Sequence, residues 1–174
     1  MRIETARLTL TSLAVDDAEE MVAVLADPRL YTFIGGRPAG VDELRERYRR
    51  MVAGSPDPEV AWLNWIVRLQ PADVAVGTVQ STISPATGGR RGAVVAWVIG
   101  TAWQGRGIAT EAAGWLIGWL QAQGIDDITA HIHRDHLASG AVARHCGLHP
   151  TDGLHRGEIV WRLAPTPNQV DGAP

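Results

Sequence analysis

Trp97-Val98-Ile99-Gly100-Thr101-Ala102-Trp103-Gln104-Gly105-Arg106-Gly107-Ile108-Ala109-Thr110-Glu111-Ala112 decides how this chain is read. A strand ends near Ile99, a short loop carries two glycines, and a helix opens at about Ile108. Without a Cβ, Gly105 and Gly107 let backbone N–H groups turn toward an anion and approach it closely. The first turn of the helix adds unsatisfied donors and a partial positive charge, a combination that suits a pyrophosphate. Arg106 brings a full charge, and Arg90 and Arg91 are expected at the same edge. Two familiar phosphate motifs fail here. No Gly-Lys-Ser/Thr follows the loop. The dinucleotide fingerprint matches at Gly105 and Gly107, with Asp126 and Asp127 downstream, but position 110 is Thr and several residues separate strand from glycine. A plain glycine turn that merely starts a helix is the remaining alternative.

Working outward, strand-like runs span Trp62 to Leu69, Val74 to Ile83 and Ala93 to Ile99, with Gly88, Gly89 and Gly92 reading as a hairpin turn between the last two. Upstream, a short strand around Arg7 to Leu10 precedes helical patterns over Val15 to Ala26 and Val41 to Ala53. The intervening Tyr31 to Gly40 segment, with Gly35, Gly36 and Pro38, is expected to be mobile. Downstream, the helix from Ile108 to Gln123 is apolar on nearly every side and so packs on a sheet and on something else. A strand near Ile128 to His133, a helix from Leu137 to Cys146 and one or two strands ending at Leu163 complete the pattern. Residues 1–164 read as a single α/β domain, and the tail from Pro165 to Pro174 as disordered.

Composition narrows the classes. The 174 residues are 45% hydrophobic and 20% charged, with a formal net charge of -3. That balance gives no general reason to bind nucleic acid. No apolar run approaches the roughly 20 residues needed to span a bilayer. No leader opens the chain and Cys146 is the single cysteine, so a cytoplasmic monomer or homodimer is expected.

Gln104-Gly105-Arg106-Gly107-Ile108-Ala109 resembles the Gln/Arg-x-x-Gly-x-Gly/Ala signature of the GCN5-related N-acetyltransferases. Glu4-Thr5-Ala6-Arg7-Leu8-Thr9-Leu10 and Ala109-Thr110-Glu111-Ala112 resemble the opening strand and helix start of the RimJ/RimL-like branch. His136-Leu137-Ala138-Ser139 and Gly147-Leu148 stand where that branch has Asn-x-x-Ser and Gly-Phe. The resemblance implies a mixed α/β sheet of six or seven strands, flanked by about four helices and splayed between its fourth and fifth strands. It also implies acetyl-CoA as cosubstrate. The pantetheine arm would run along Trp97, Val98 and Ile99, and the pyrophosphate would sit on Gln104, Gly105, Arg106, Gly107, Ile108, Ala109 and Thr110. A primary amine, either a protein N-terminus or a small aminated metabolite or antibiotic, would attack the thioester directly, with catalysis by positioning and a backbone oxyanion donor.

The chain departs from the pattern in two places. Family members often carry a Glu on the fourth strand, but Ala93-Val94-Val95-Ala96-Trp97 has no acid. A site without a strong base favours α-amines, which titrate near about 7.7–8.0, over lysine amines near about 10.4. Glu158 is the remaining acid, read either as the base or as a solvated residue starting the last strand. His136 replaces the usual Asn contact to the cofactor arm and retains one hydrogen bond to offer. Ser139 is read either as the hydroxyl facing the leaving sulfur or as a helix-end Ser satisfying backbone donors.

All six histidines fall between His131 and His155, and His131 and His133 share a strand face. That grouping raises a metal site, although no thiolates or carboxylates accompany it, and no metal is expected. Cys146 reads as a small buried hydrophobe. The seven tryptophans read as core, with Trp62 or Trp65 a candidate lining of the acceptor pocket. Three functions therefore stand side by side: an acetyltransferase, a non-catalytic acyl-CoA-binding module of the same fold, and a metal-binding protein.

Overall fold

A computed structural model describes residues 2–86 and 90–164. The predicted turn at Gly88 and Gly89 and the predicted tail from Pro165 lie outside the described residues. In chain order the elements are β1 (Arg2–Glu4), β2 (Leu8–Ser12), α1 (Ala18–Val24), α2 (Tyr31–Ile34), α3 (Val41–Ala53), β3 (Ala61–Leu69), β4 (Val74–Pro85), β5 (Arg91–Ile99), α4 (Ile108–Ala122), β6 (Asp127–Ile132), α5 (Leu137–His145), β7 (Leu148–His155) and β8 (Glu158–Leu163). The strands form one mixed sheet in the order β1-β2-β3-β4-β5-β6-β8-β7.

Eight strands replace the expected six or seven. The added β1 pairs with β2 over only three residues, too short a run to leave a period-2 signal. The segment expected to be a mobile loop instead contains α2. It follows a 3-10 turn at Pro28–Leu30, which Asp27 starts by accepting a hydrogen bond from the Arg29 backbone N–H. Among the described residues there are thus five α-helices rather than about four.

The strand alternation sorts side chains to two faces. On β3, Trp65 and Val67 join a core with α4, whereas Ile66 joins Met21, Leu44 and Tyr48 of α1 and α3. Leu44 and Tyr48 are four residues apart, one above the other on the α3 face that packs inward. The all-round apolarity of α4 has a physical reason. Ala112, Leu116, Ile117 and Leu120 are buried, while Trp115 and Trp119 meet Trp65 edge-on at 5.8 and 5.9 Å. Among the described residues no helix is long and apolar enough to cross a membrane.

One irregularity positions the site. β5 and β6 are parallel partners only from Gly92–Asp127 to Val94–Thr129, after which the two strands part. β5 continues against β4 as far as Ile99, and β6 continues against β8. From Val95 onward, β5 therefore has a strand on one side and an open fork on the other. Because β1 adds a strand ahead of the predicted set, this is the splay expected between the fourth and fifth strands.

Candidate active site

The glycine loop lies at the end of β5. Gly105 and Gly107 hold φ of +72° and +74°, a left-handed conformation that other L-residues rarely adopt. Gly107 is the N-cap of α4, and no side chain caps that helix. Its first donors therefore remain free for an exogenous anion. The loop is held from behind. Gln104 donates from Nε2 to the Ile99 carbonyl at 2.8 Å, and Arg7 donates from Nη1 to the Arg106 carbonyl at 2.9 Å. Glu111, one turn into α4, accepts from Thr5 Oγ1 at 2.6 Å, the Arg7 backbone N–H at 2.9 Å and Arg7 Nε at 2.8 Å. Burial opposes the Glu111 charge, but the Thr5 and Arg7 hydrogen bonds and the Arg7 charge outweigh it and hold its carboxyl below the ordinary value. The motifs at Thr5–Arg7 and Thr110–Glu111 thus form one clamp.

The fork opens into a cleft of about 280 Å³. Thr78 and Gln80 of β4 and Val95 to Val98 of β5 form one wall, and Ala130 to His133 the other. Phe33, Ile34, His136, Ser139 and Glu158 complete the lining. Phe33 stacks on His136 at 4.6 Å and lies 5.4 Å from His133. His131 stacks on His155 at 4.2 Å between ring centroids. Burial first, and then the charge of His155, lowers the His131 pKa, against an opposing pull from Glu158. Burial first, and then His133, lowers that of His136.

Of the residues predicted from sequence, Trp97, Val98, His136, Ser139 and Glu158 line this cleft together. Ile99 is buried behind it, and Gln104 to Gly107 form the loop after the same strand, with Ile108 to Thr110 the first turn of α4, rather than the cleft wall. Ser139 is the third residue of α5, whose N-cap is His136. It is therefore not the cap residue that the structural alternative required.

Two expectations fail. Arg90 and Arg91 stand at the start of β5, roughly 26 Å of extended chain from the glycine loop at its other end. Trp65 is buried in the core, and neither it nor Trp62 lines the cleft. The six histidines do not form one group: His131, His133 and His136 line the cleft, whereas His145 is held by the Ala141 carbonyl at 2.8 Å, and His149 pairs with Arg162 on the edge strand. Among the described residues no group of three or more His, Cys, Asp or Glu is arranged to hold a metal. Cys146 is partly buried, and burial pushes its thiol up to about 11, which leaves it unreactive at neutral pH.

Sequence reasoning did not single out Phe33, Thr78 or Gln80, which carry no motif. Arg7 and Glu111 did carry a signal, since both lie in segments already noted for their resemblance.

A strand fork beside a glycine-rich helix start defines an acyltransferase-like architecture. A family model described as an acetyltransferase (GNAT) domain matches residues 7–149, and the chain belongs to that family. Comparison with curated proteins gives no match. Among solved structures, RimL, a ribosomal L7/L12 alpha-N-protein acetyltransferase in complex with coenzyme A, superposes with a TM-score of 0.77. It is 16% identical, over 93% of this chain and 96% of that one. The microcin C7 self-immunity acetyltransferase MccE, in complex with acetyl-CoA and AMP, gives 0.74 at 18% identity, over 91% and 92%. An acetyltransferase from Agrobacterium tumefaciens gives 0.71 at 22% identity, over 95% of each chain. At these identities the likeness concerns the fold.

Proposed function

We propose that this chain is an N-acetyltransferase that moves the acetyl group of acetyl-CoA to a primary amine by direct attack in a ternary complex. The observation that carries this reading is the opened edge of β5 from Val95 to Ile99, which ends at an uncapped helix start with two left-handed glycines. An extended, amide-bearing arm fits the open strand edge, and a pyrophosphate fits the loop. Gln104, Gly105, Arg106, Gly107, Ile108, Ala109 and Thr110 would hold the diphosphate. Trp97, Val98, Ile99 and His136 would hold the arm.

The acceptor would reach the thioester through the cleft, where Glu158 supplies the negative charge that attracts an ammonium group. No Arg or Lys lines the cleft among the described residues, so no permanent cation there pairs with an acceptor carboxylate. That favours an amine without a neighbouring free carboxylate, such as a protein N-terminus, which is the substrate class named for RimL. The absence of an acid on β5 favours a second reading, a non-catalytic acyl-CoA-binding module of the same fold. Calorimetric titration with acetyl-CoA, followed by thiol-release assays over a panel of amines, tests both. Binding with transfer supports the enzyme, binding without transfer supports the module, and no binding removes both.

A further inference from the structure

β5 brings no titratable side chain to the fork, and β4 brings only Thr78 and Gln80. α2 brings Phe33 and Ile34. Every group able to accept a proton enters from the opposite wall. His131 is placed closest to the point where the strands part. The last parallel pair is Val94–Thr129, so His131 lies two residues past it, across from the β5 edge offered to the thioester. It pairs with Val160 on β8, and Glu158 lies two residues from Val160 on the same face. Glu158 in turn pairs with His155 of β7, whose ring stacks on His131. The remaining titratable groups on this wall are His136, at the start of α5, and His133, 3.8 Å from the Asp135 carboxylate. Phe33 stacks on the His136 ring and lies close to that of His133. Among the described residues, the His131 ring is the one cleft-lining imidazole that stacks on a second imidazole, with a carboxylate within electrostatic reach.

We propose that His131 is the proton acceptor of the transfer, a role that rests on the acyltransferase reading above. The amine lone pair forms the C–N bond to the thioester carbon, and the proton shed by nitrogen passes to a ring nitrogen of His131. The C–S bond breaks with its electron pair on sulfur. The thiolate then takes a proton from the imidazolium, or takes one from solvent while the imidazolium releases its own to solvent; by either route His131 returns to its neutral form. Neighbouring groups suit the role. Burial and His155 keep the ring neutral and able to accept at neutral pH, and Glu158 stabilises the imidazolium once it forms.

The test uses the full chain and acetyl-CoA, first with no amine, so that water is the nucleophile and no acceptor titrates. Slow thiol release in wild type should rise with pH along an acid limb belonging to His131. His155→Ala removes a neighbouring positive charge and should move that limb to higher pH. Glu158→Gln removes a negative charge and should move it to lower pH. A merely structural role for any of the three would not shift the limb in opposite directions. His131→Gln should abolish the limb and lower release by on the order of 10²-fold, with the calorimetric Kd for acetyl-CoA within about threefold of wild type. Transfer to trialanine amide, an α-amine probe, should fall by a similar factor. The chain contains no lysine, so lysine self-acetylation adds no background. Release in His131→Gln within about threefold of wild type, or a limb that neither neighbouring variant moves, overturns the assignment. Should His131→Gln fail to fold, the opposed shifts of the other two variants decide it. Wild type that does not bind acetyl-CoA overturns the acyltransferase reading itself, an outcome distinct from a failure at His131.

Discussion

At Gly107 two effects of one substitution can be separated. Its left-handed φ makes any side chain strained, by roughly 1–2 kcal/mol. An added Cβ would meet Arg7 Nη2 at 3.4 Å, a flexible group that can give way. Gly107→Ala should therefore lower stability by about that amount and weaken acetyl-CoA binding moderately. Gly107→Glu adds a negative charge where the diphosphate is placed. Calorimetric binding should vanish while the circular dichroism spectrum stays native, and equal affinity in the two variants would remove the loop from the binding site. Ser139 offers a second test. It faces the cleft from the third position of α5 and is not that helix's N-cap. If its hydroxyl donates to the departing sulfur, Ser139→Ala should lower kcat about ten- to a hundredfold with little change in acetyl-CoA affinity. A loss of stability with kcat intact would assign it a structural part in the first turn of α5 instead. The thiolate is a tolerable leaving group, since a free thiol titrates near about 8.5, so a larger effect is not expected.

Among the elements, α4 depends on a partner distant in sequence. Glu111 accepts three hydrogen bonds from Thr5 and Arg7, and Arg7 also holds the Arg106 carbonyl. Glu111→Ala leaves the Arg7 backbone N–H without its acceptor and the Thr5 hydroxyl with only the longer contact to the Leu8 carbonyl at 3.3 Å, at a cost of about 1–3 kcal/mol. It also frees the loop that α4 presents to the diphosphate. The melting temperature and the acetyl-CoA affinity should fall together, and a stability loss with unchanged affinity would show that the clamp does not shape the loop. Both halves of this clamp were visible in the sequence as separate motifs; only folding showed that they touch. Legibility followed the same physics elsewhere. Helices with strong periodicity and glycine stops, such as Val41–Ala53, were readable to the residue. α2 was not, because four residues cannot show a helical period and Gly35 and Gly36 suggest a loop. Phe33 went unnoticed with it, and the acceptor side of the cleft is built largely from such segments. The loop on which acetyl-CoA is placed stood out because an anion site needs particular residues at fixed spacing. The acceptor wall needs only shape and scattered polarity, and nothing in the local sequence marks it.

For the whole molecule, parting β5 from β6 gives up ladder hydrogen bonds and places imidazoles where water and substrate must both reach. Two of them, His131 and His136, sit partly buried with their pKa values below the ordinary one. The unfolded chain titrates these rings near about 6.5. Between their folded pKa values and about 6.5 the unfolded state therefore binds more protons than the native state, so stability must rise with pH through that window. Above about 6.5 both states are neutral at these rings and the contribution levels off. The depressed carboxyl of Glu111 acts in a separate window, since its stabilisation is lost only as pH falls below the carboxylate range, about 4.3. Thermal melts between about pH 5 and 8 should climb and then flatten near 6.5. In a His131→Gln/His136→Gln double variant the climb should largely disappear, with acid-side stability raised toward the plateau. A wild-type curve that falls with rising pH through this window, or a double variant that keeps the full climb, would show that the fork's histidines are not held neutral by the fold. Acetyl-CoA at saturating concentration should lift the whole curve by mass action.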